Sequence, residues 1–268
     1  MADSRQDLLK GFSLGLRTGA ATVTNIALAV AFIVALWWSI VAIFSLPTFL
    51  LPSPAEVALA FFHRPAFFLQ HAQVTAYHAA LGFIIGNSLG VALAIVLYRF
   101  TRIRTLTMPV LISFQAIPIV ALAPILIVWF GTGMASKVVM ASILCFFPIV
   151  INTLQAFSSI DRDYAELFDF YRANYAQKLK LLLFPASFTS IVAAMQISAG
   201  LAVVGTIVAE LTGSDRGLGH VLLNTSFRFE IPSMFVAMVL SALLGIVFFN
   251  MPRVLRYVIP RSWKLGLV

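Results

Sequence analysis

The sequence predicts an all-α, polytopic membrane protein with six transmembrane helices and both termini in the cytoplasm. Three observations carry this expectation. The 268 residues are 61% hydrophobic and only 10% charged, with a mean hydropathy of +0.99, whereas a soluble domain carries about a quarter charged residues. Apolar runs of about the 20 residues that a membrane helix needs recur along the chain. Of the 18 Lys and Arg residues, 14 fall in segments that six spans place with the termini and 4 in the intervening loops. The positive-inside rule assigns the first set to the cytoplasm. The net charge of +8 is scattered over short loops, which fits topology rather than a nucleic-acid patch. A single cysteine, Cys145, excludes a disulfide framework.

The first 23 residues hold Arg5, Lys10 and Arg17 and no sustained apolar run, so they read as a cytoplasmic segment rather than a secretory signal. Spans are expected at about 24–46, 73–98, 108–130, 137–157, 186–211 and 233–257. Pro47, Pro52 and Pro54 end the first, and 55–62 reads as a short amphipathic piece at the membrane surface. Gly82, Gly86, Gly90 and Ala94 recur every four residues in the second span, a small-residue stripe that lets two backbones approach closely. Pro109, Pro118 and Pro124 lie in the third, where a membrane helix tolerates them. The tail, 259–268, is expected to be cytoplasmic.

No catalytic constellation emerges. Gly131 to Val138 only approximates a phosphate-binding loop, lacking the second glycine and the hydroxyl residue after lysine. His63, His71, His78 and His220 form no zinc-protease pattern, and no metal site is expected, although His71 and His78 can share a helix face. Mid-membrane carboxylates, the usual mark of an ion-coupled carrier, are nearly absent. Uncharged polar residues in the spans, with Glu210 at the outer end of the fifth, are the candidates for a translocation path: Gln115, Asn152, Gln196 and Glu210. Hydrogen bonding between helices is the alternative for each.

The longest polar segment, Asp161 to Ala186, separates the fourth and fifth spans and holds four of the cytoplasmic cations. Within it Tyr164, Leu167, Phe168, Tyr171 and Tyr175 recur at spacings of three and four, which predicts one helix with an aromatic stripe. Glu166, Asp169 and Arg172 border that stripe. A chain with six spans and no energy site of its own has one obvious use for such a face, the docking of a separate motor protein. Each bulky side chain buried there contributes about 1.5–3 kcal/mol before ordering costs.

This segment resembles the cytoplasmic EAA loop of binding-protein-dependent ABC importer permeases. Glu166 stands at the family's glutamate and Phe184-Pro185 at its Leu-Pro, while Leu167 and Phe168 replace the two alanines and Arg172 the glycine. Leu51 to Val57, Gln115-Ala116-Ile117-Pro118 with Ala123-Pro124, Trp129-Phe130-Gly131 and Phe147 to Thr153 are similar to the nitrate/sulfonate/taurine-type branch. So are Val208-Ala209-Glu210 and Gly217-Leu218-Gly219. That branch also imports thiamine-pathway pyrimidines and riboflavin-like compounds, and the aromatic Phe168 to Ala173 stretch is closer to those members.

The resemblance implies a type I importer permease in a bacterial inner membrane, acting as a homodimer. It implies two cytoplasmic ATP-binding cassette subunits, which would hold the ATP and Mg that this chain does not bind. It also implies a periplasmic or lipid-anchored solute-binding protein, received in part by the outer loop Thr212 to Ile231. Tyr164, Glu166, Leu167, Phe168, Asp169, Tyr171 and Arg172 would form the coupling helix that docks the cassette. The competing reading is a self-contained secondary carrier or channel, for which the sequence offers no coupling group.

Overall fold

The structure, a computed structural model, describes residues 24–25 and 28–258. The segments 1–23 and 259–268 lie outside the described residues. Every regular element described is helical.

The first apolar helix, α1, covers Leu28–Ile43, shorter than the run 24–46. Helix α2 covers Pro54–His63 and opens with a capping box. The Ser53 hydroxyl accepts from the Glu56 amide while the Glu56 carboxylate accepts from the Ser53 amide. Helix α3 covers Pro65–Arg99, 35 residues and about 52 Å at 1.5 Å per residue. It begins eight residues before the expected second span. Hydropathy marks only the part of a helix that suits lipid, and the polar turn around Gln70 and Gln73 contains no breaker.

The region of the expected third span, 108–130, is built from two helices, α4 (Thr101–Gln115) and α5 (Ile119–Phe130), bent by 99°. Pro118 is the cause. It has no amide to donate and disfavours helical torsions at Ile117. The chain tightens beforehand through Ala116 N–H to Ser113 O and Ile117 N–H to Phe114 O. Pro109 and Pro124 stay within their helices.

Helix α6 covers Met134–Ser158 and α7 covers Arg162–Phe170. After a turn, α8 (Tyr175–Lys178), a π-helical turn (Leu179–Leu183) and α9 (Phe184–Gly213) run on as one 39-residue rod. Helix α10 covers Leu218–Phe227 and α11 covers Ile231–Asn250. A 3₁₀ turn, Met251–Val254, continues α11 so that Ile231–Val254 is one apolar stretch of 24 residues, and the short α12, Leu255–Val258, follows. Among the described residues, four helices are long and apolar enough to cross a membrane, or five with the bent α4–α5 pair as one.

The core is the α3–α6–α9 group. A Cβ on Gly82 would lie 2.3 Å from the Ala141 Cβ, one on Gly86 2.5 Å from the Ser142 carbonyl oxygen, and one on Gly90 2.1 Å from Ile149 Cγ2. Gly86 also meets the Cys145 Cβ at 2.7 Å, so Ala141, Cys145 and Ile149 follow Gly82, Gly86 and Gly90 at one offset, and α3 and α6 run parallel with backbones nearly touching. Parallel neighbours need a return path, and the α4–α5 pair supplies it. Helix α9 runs antiparallel to α6: Gly205 packs on Ala141 and Leu144 near one end, and Leu183 shares a cluster with Phe157 at the other. At mid-bundle the Ser198 hydroxyl donates to Asn87 Oδ1 at 2.8 Å and the Cys145 thiol donates to the Ser198 carbonyl at 3.2 Å, tying all three helices together. One end of the bundle therefore holds the starts of α3 and α6 with the end of α9. The opposite end carries α7 and α8.

Candidate functional site

At the α7 end, the expected aromatic stripe is divided. Helix α7 opens on Asp161, whose side chain accepts from the Asp163 amide, and stops at Phe170. The stop is a Schellman turn: Ala173 N–H donates to Phe168 O and Arg172 N–H to Asp169 O, both at 2.9 Å. Arg172 sits at the left-handed position of that turn with φ of +52°, where the resembled pattern carries glycine. A residue with a Cβ costs about 1 kcal/mol there. Tyr175 consequently belongs to the next helix, which begins with a second capping box between Asn174 and Gln177.

The break re-sorts the side chains. Tyr164 and Phe168 turn half-buried toward the bundle, while Glu166, Leu167, Phe170 and Tyr171 face outward. Phe170 is 82% exposed and Tyr171 74%, their rings edge to face at 5.6 Å. Phe170 lies on this exposed face and was not among the residues expected to form it. The spacing Leu167–Phe170 carried the signal, which the assumption of a continuous helix to Tyr175 obscured. Asp169 is ion-paired with Lys178, bracing α7 on α8.

The segment that follows this face is tied to the spans. The Tyr175 hydroxyl donates to Ile95 O of α3 at 3.0 Å, and the Arg99 guanidinium lies 5.2 Å from the Tyr175 ring centre. Leu182 and Leu183 of the π-helical turn are buried, the latter beside Phe157 of α6. Helix α8 and the π-helical turn thus meet α3 and α6, and the Asp169–Lys178 pair joins α7 to α8. π-helical turns recur at functional sites.

The opposite end contains the second feature, built on Glu210. Its carboxylate is fully buried, and it caps α10. Three successive backbone amides at the start of that helix meet side-chain acceptors. Gly217 N–H donates to His71 Nδ1 at 2.9 Å, Leu218 N–H to Thr75 Oγ1 at 2.8 Å, and Gly219 N–H to Glu210 Oε2 at 3.0 Å. The Thr75 hydroxyl donates in turn to Glu210 Oε2 at 2.8 Å, and His78 Nδ1 lies 3.4 Å from Oε1. A negative charge at a helix N-terminus is favourable, and the donors make its burial tolerable. Gly217 has φ of +103°, and a Cβ there would lie 2.2 Å from Glu210 Cδ. The two short motifs around Glu210 and Gly217 are thus halves of one contact, completed by His71, noted above for sharing a helix face with His78, and by Thr75, which carried no sequence signal.

Lys137, counted with the outer loops above, is instead buried in the first turn of α6. Its ammonium donates to the carbonyls of Thr132 and Gly213, so it closes the end of α9 rather than meeting solvent. The remaining path candidates lie apart. Gln115 is exposed at the α4–α5 bend, Asn152 donates to Pro148 O in its own helix, and Gln196 donates to Phe249 O at 3.3 Å. No hydrogen bond links any two of Gln115, Asn152, Gln196 and Glu210. Beside the Glu210 cap, an open cavity of about 880 Å³ lies between the start of α3, the α5–α6 turn and the α9–α10 loop.

Comparison with known proteins agrees with this arrangement. Residues 86–261 match the family model described as "Binding-protein-dependent transport system inner membrane component". The riboflavin transport system permease protein RibX of Chloroflexus aurantiacus is 34% identical, with 85% of each chain covered. The formylaminopyrimidine transport permease protein ThiX of Halalkalibacterium halodurans is 32% identical, covering 79% of this chain and 85% of that one. The putative aliphatic sulfonates transport permease protein SsuC of Bacillus subtilis is 28% identical over 80% and 79%. The fold is similar to a chain of the inward-facing MetNI methionine ABC transporter, with a TM-score of 0.62 at 18% identity, covering 72% of this chain and 97% of that one. The chain therefore belongs to the family of inner-membrane permease components of binding-protein-dependent ABC importers.

Proposed function

We propose that this chain forms, with a second copy of itself, the translocation path of an importer driven by two cassette ATPases on the cytoplasmic side. The observation that carries this reading is the α7 face: Leu167, Phe170 and Tyr171 exposed beside Glu166, on a helix paired through Asp169 to Lys178 of α8, whose Tyr175 bonds to α3. ATP and Mg belong to the partner, and a solute-binding protein delivers cargo at the far end, where the α10 cap shapes the receiving loop. The chain lies in a bacterial cytoplasmic membrane with six spans and both termini inside. Tyr164, Phe168, Asp169 and Arg172 set the shape of the α7 face rather than its contact area. The cargo is a small organic solute, and the relatives named for formylaminopyrimidine and riboflavin favour a heteroaromatic one over a sulfonate.

The test is co-purification with the cassette ATPase, followed by reconstitution and measurement of solute-stimulated ATP hydrolysis. Phe170→Ala is expected to weaken association at least tenfold, since burying a phenylalanine side chain is worth about 1.5–3 kcal/mol. Glu166→Arg is expected to abolish stimulation. If the complex forms and couples normally in both variants, or if the chain alone carries solute down an ion gradient, the reading fails.

A further inference from the structure

Of the three acceptors that cap α10, His71 differs in kind from the other two. The Gly217 amide donates to its Nδ1 at 2.9 Å. A neutral imidazole has one donor nitrogen and one acceptor, so this contact exists only while Nδ1 carries no proton. The donor is a backbone amide, which cannot turn round to accept instead. Protonation of His71 therefore sets one N–H against another. It also places a cation at the N-terminus of α10, where negative charge is the favoured sign. The ring is half-buried and lines the large cavity, which opens it to protons from solvent.

The other contacts of the cap lack this sensitivity. The Thr75 hydroxyl, which accepts from Leu218, does not titrate, and a protonated Glu210 keeps a carbonyl oxygen for Gly219. His220 of α10 stacks on His71 with ring centres 5.8 Å apart. Its Nδ1 faces the Ser214 carbonyl and its Nε2 lies 2.7 Å from Asn224 Nδ2, so a turn of that carboxamide satisfies His220 in either charge state. The charged groups around the pair come from every neighbouring element. Helix α9 supplies Glu210, which serves Thr75 and Gly219 and has His78 of α3 at 3.4 Å. The α9–α10 loop supplies Asp215 and Arg216, both exposed, and α6 supplies Lys137, turned to the Thr132 and Gly213 carbonyls. Arg64, Arg228 and Glu230 line a smaller cavity with His220, Arg64 pairing with Glu230 at 3.7 Å. Glu210 attracts a cation at His71, whereas Arg216 repels one, as does His220 when charged.

We propose that His71 is a proton-operated latch between α3 and the start of α10. Neutral, it holds the loop 214–217 against α3. Protonated, it releases that loop and widens the cavity, which has α3 and the same loop among its walls. Histidine is suited to this role because its charge changes near neutral pH. The latch goes beyond the importer reading and does not depend on it: it ties access at this end of the bundle to the pH of the compartment that the end faces.

The experiment is amide hydrogen exchange on the full chain in lipid nanodiscs, from about pH 8 to about pH 5, the range in which histidine changes charge. Protection of the Gly217 amide, corrected for its intrinsic exchange rate, is expected to fall about tenfold across that range, the worth of about one hydrogen bond. His71→Asn puts an amide oxygen that takes no proton near the place of Nδ1, and its protection is expected to stay level. His78→Gln removes the histidine nearest the Glu210 carboxylate and is expected to respond like the parent. The nitrogen shift of His71 Nδ1, followed in the parent, is expected to change from acceptor to protonated at the pH where Gly217 loses protection. That measurement tests the latch even where His71→Asn does not fold. A parent with no response overturns the proposal, as does a response that persists in folded His71→Asn or vanishes in His78→Gln. So does a Gly217 transition that does not coincide with the His71 titration.

Discussion

Replacing Glu210 tests the idea that a buried carboxylate here holds a helix rather than a solute. In Glu210→Ala the Gly219 amide loses its acceptor in a buried setting, which costs about 1–3 kcal/mol. The start of α10 also loses a favourable charge, worth about 0.3–1 kcal/mol. Thr75 is spared, because its hydroxyl can turn to His71 O at 3.3 Å and still accept from Leu218. The expected loss is therefore about 3 kcal/mol, or a melting point lower by about 6–12 °C for a chain of this size. Glu210→Gln keeps an oxygen for Gly219 and places its amide nitrogen toward His78 Nδ1, so it is expected to lose only about 2–4 °C. Gly217→Ala drives a Cβ into the Glu210 carboxylate at a φ that favours glycine, and is expected to melt at least as low as Glu210→Ala. The double variant Glu210→Ala with Gly217→Ala removes the atoms that clash and is expected to be less damaging than the two changes summed. The chain carries its own reporter: Cys145 is its single cysteine and is fully buried in the α3–α6–α9 core. A fluorogenic thiol reagent, followed on heating in detergent, reads the opening of that core. Melting of Glu210→Ala within about 2 °C of the parent, or strict additivity in the double variant, would refute the capping argument.

Three further outcomes follow from the geometry. Gly86→Val places branched carbons where even a Cβ lies 2.5 Å from the Ser142 carbonyl oxygen, so α3 and α6 must separate. The same thiol assay is expected to show a core open at ambient temperature, and a normal melting curve would contradict the parallel packing. Arg172→Gly relieves a left-handed arginine and is expected to stabilise the α7–α8 turn by about 1 kcal/mol, seen as slower hydrogen exchange at Ala173. The Glu56 carboxyl is held below its ordinary value, chiefly by the Thr48 hydroxyl and then by the Ser53 amide and hydroxyl. A depressed carboxylate contributes stability above its unfolded value, about 4.3, and loses it as pH falls through the folded value. Protection of the α2 amides is thus expected to decline as the pH falls below about 4.3 in the parent and to be flat in Glu56→Gln.

Much of this protein could be read from residue order. Too few charges to make a water-facing surface dictate a membrane protein, and apolar runs of about 20 residues dictate spanning helices. The four-residue glycine spacing implies a close helix contact, because side-chain size and helical period are local properties. Other features depend on atoms brought together from distant positions. Pro118 is visible in the sequence, but whether a proline kinks a span or breaks it by 99° depends on what packs around it. The aromatic period through Tyr164 to Tyr175 suggested one helix. The Schellman turn at Arg172 divides it, because Asp169 and Lys178, and Tyr175 and Ile95, find partners only when the chain turns there. Glu210 shows the difference most clearly. By itself it is a carboxylate near the end of an apolar run, equally suited to a path or a scaffold. Its donors Thr75 and Gly219 come from 135 positions away and from the next helix, and they decide that its charge is spent on α10. Periodicity and composition act over a few residues and are legible in order. The pairing of buried donors and acceptors acts over a few ångströms, and only the tertiary structure decides which residues are that close.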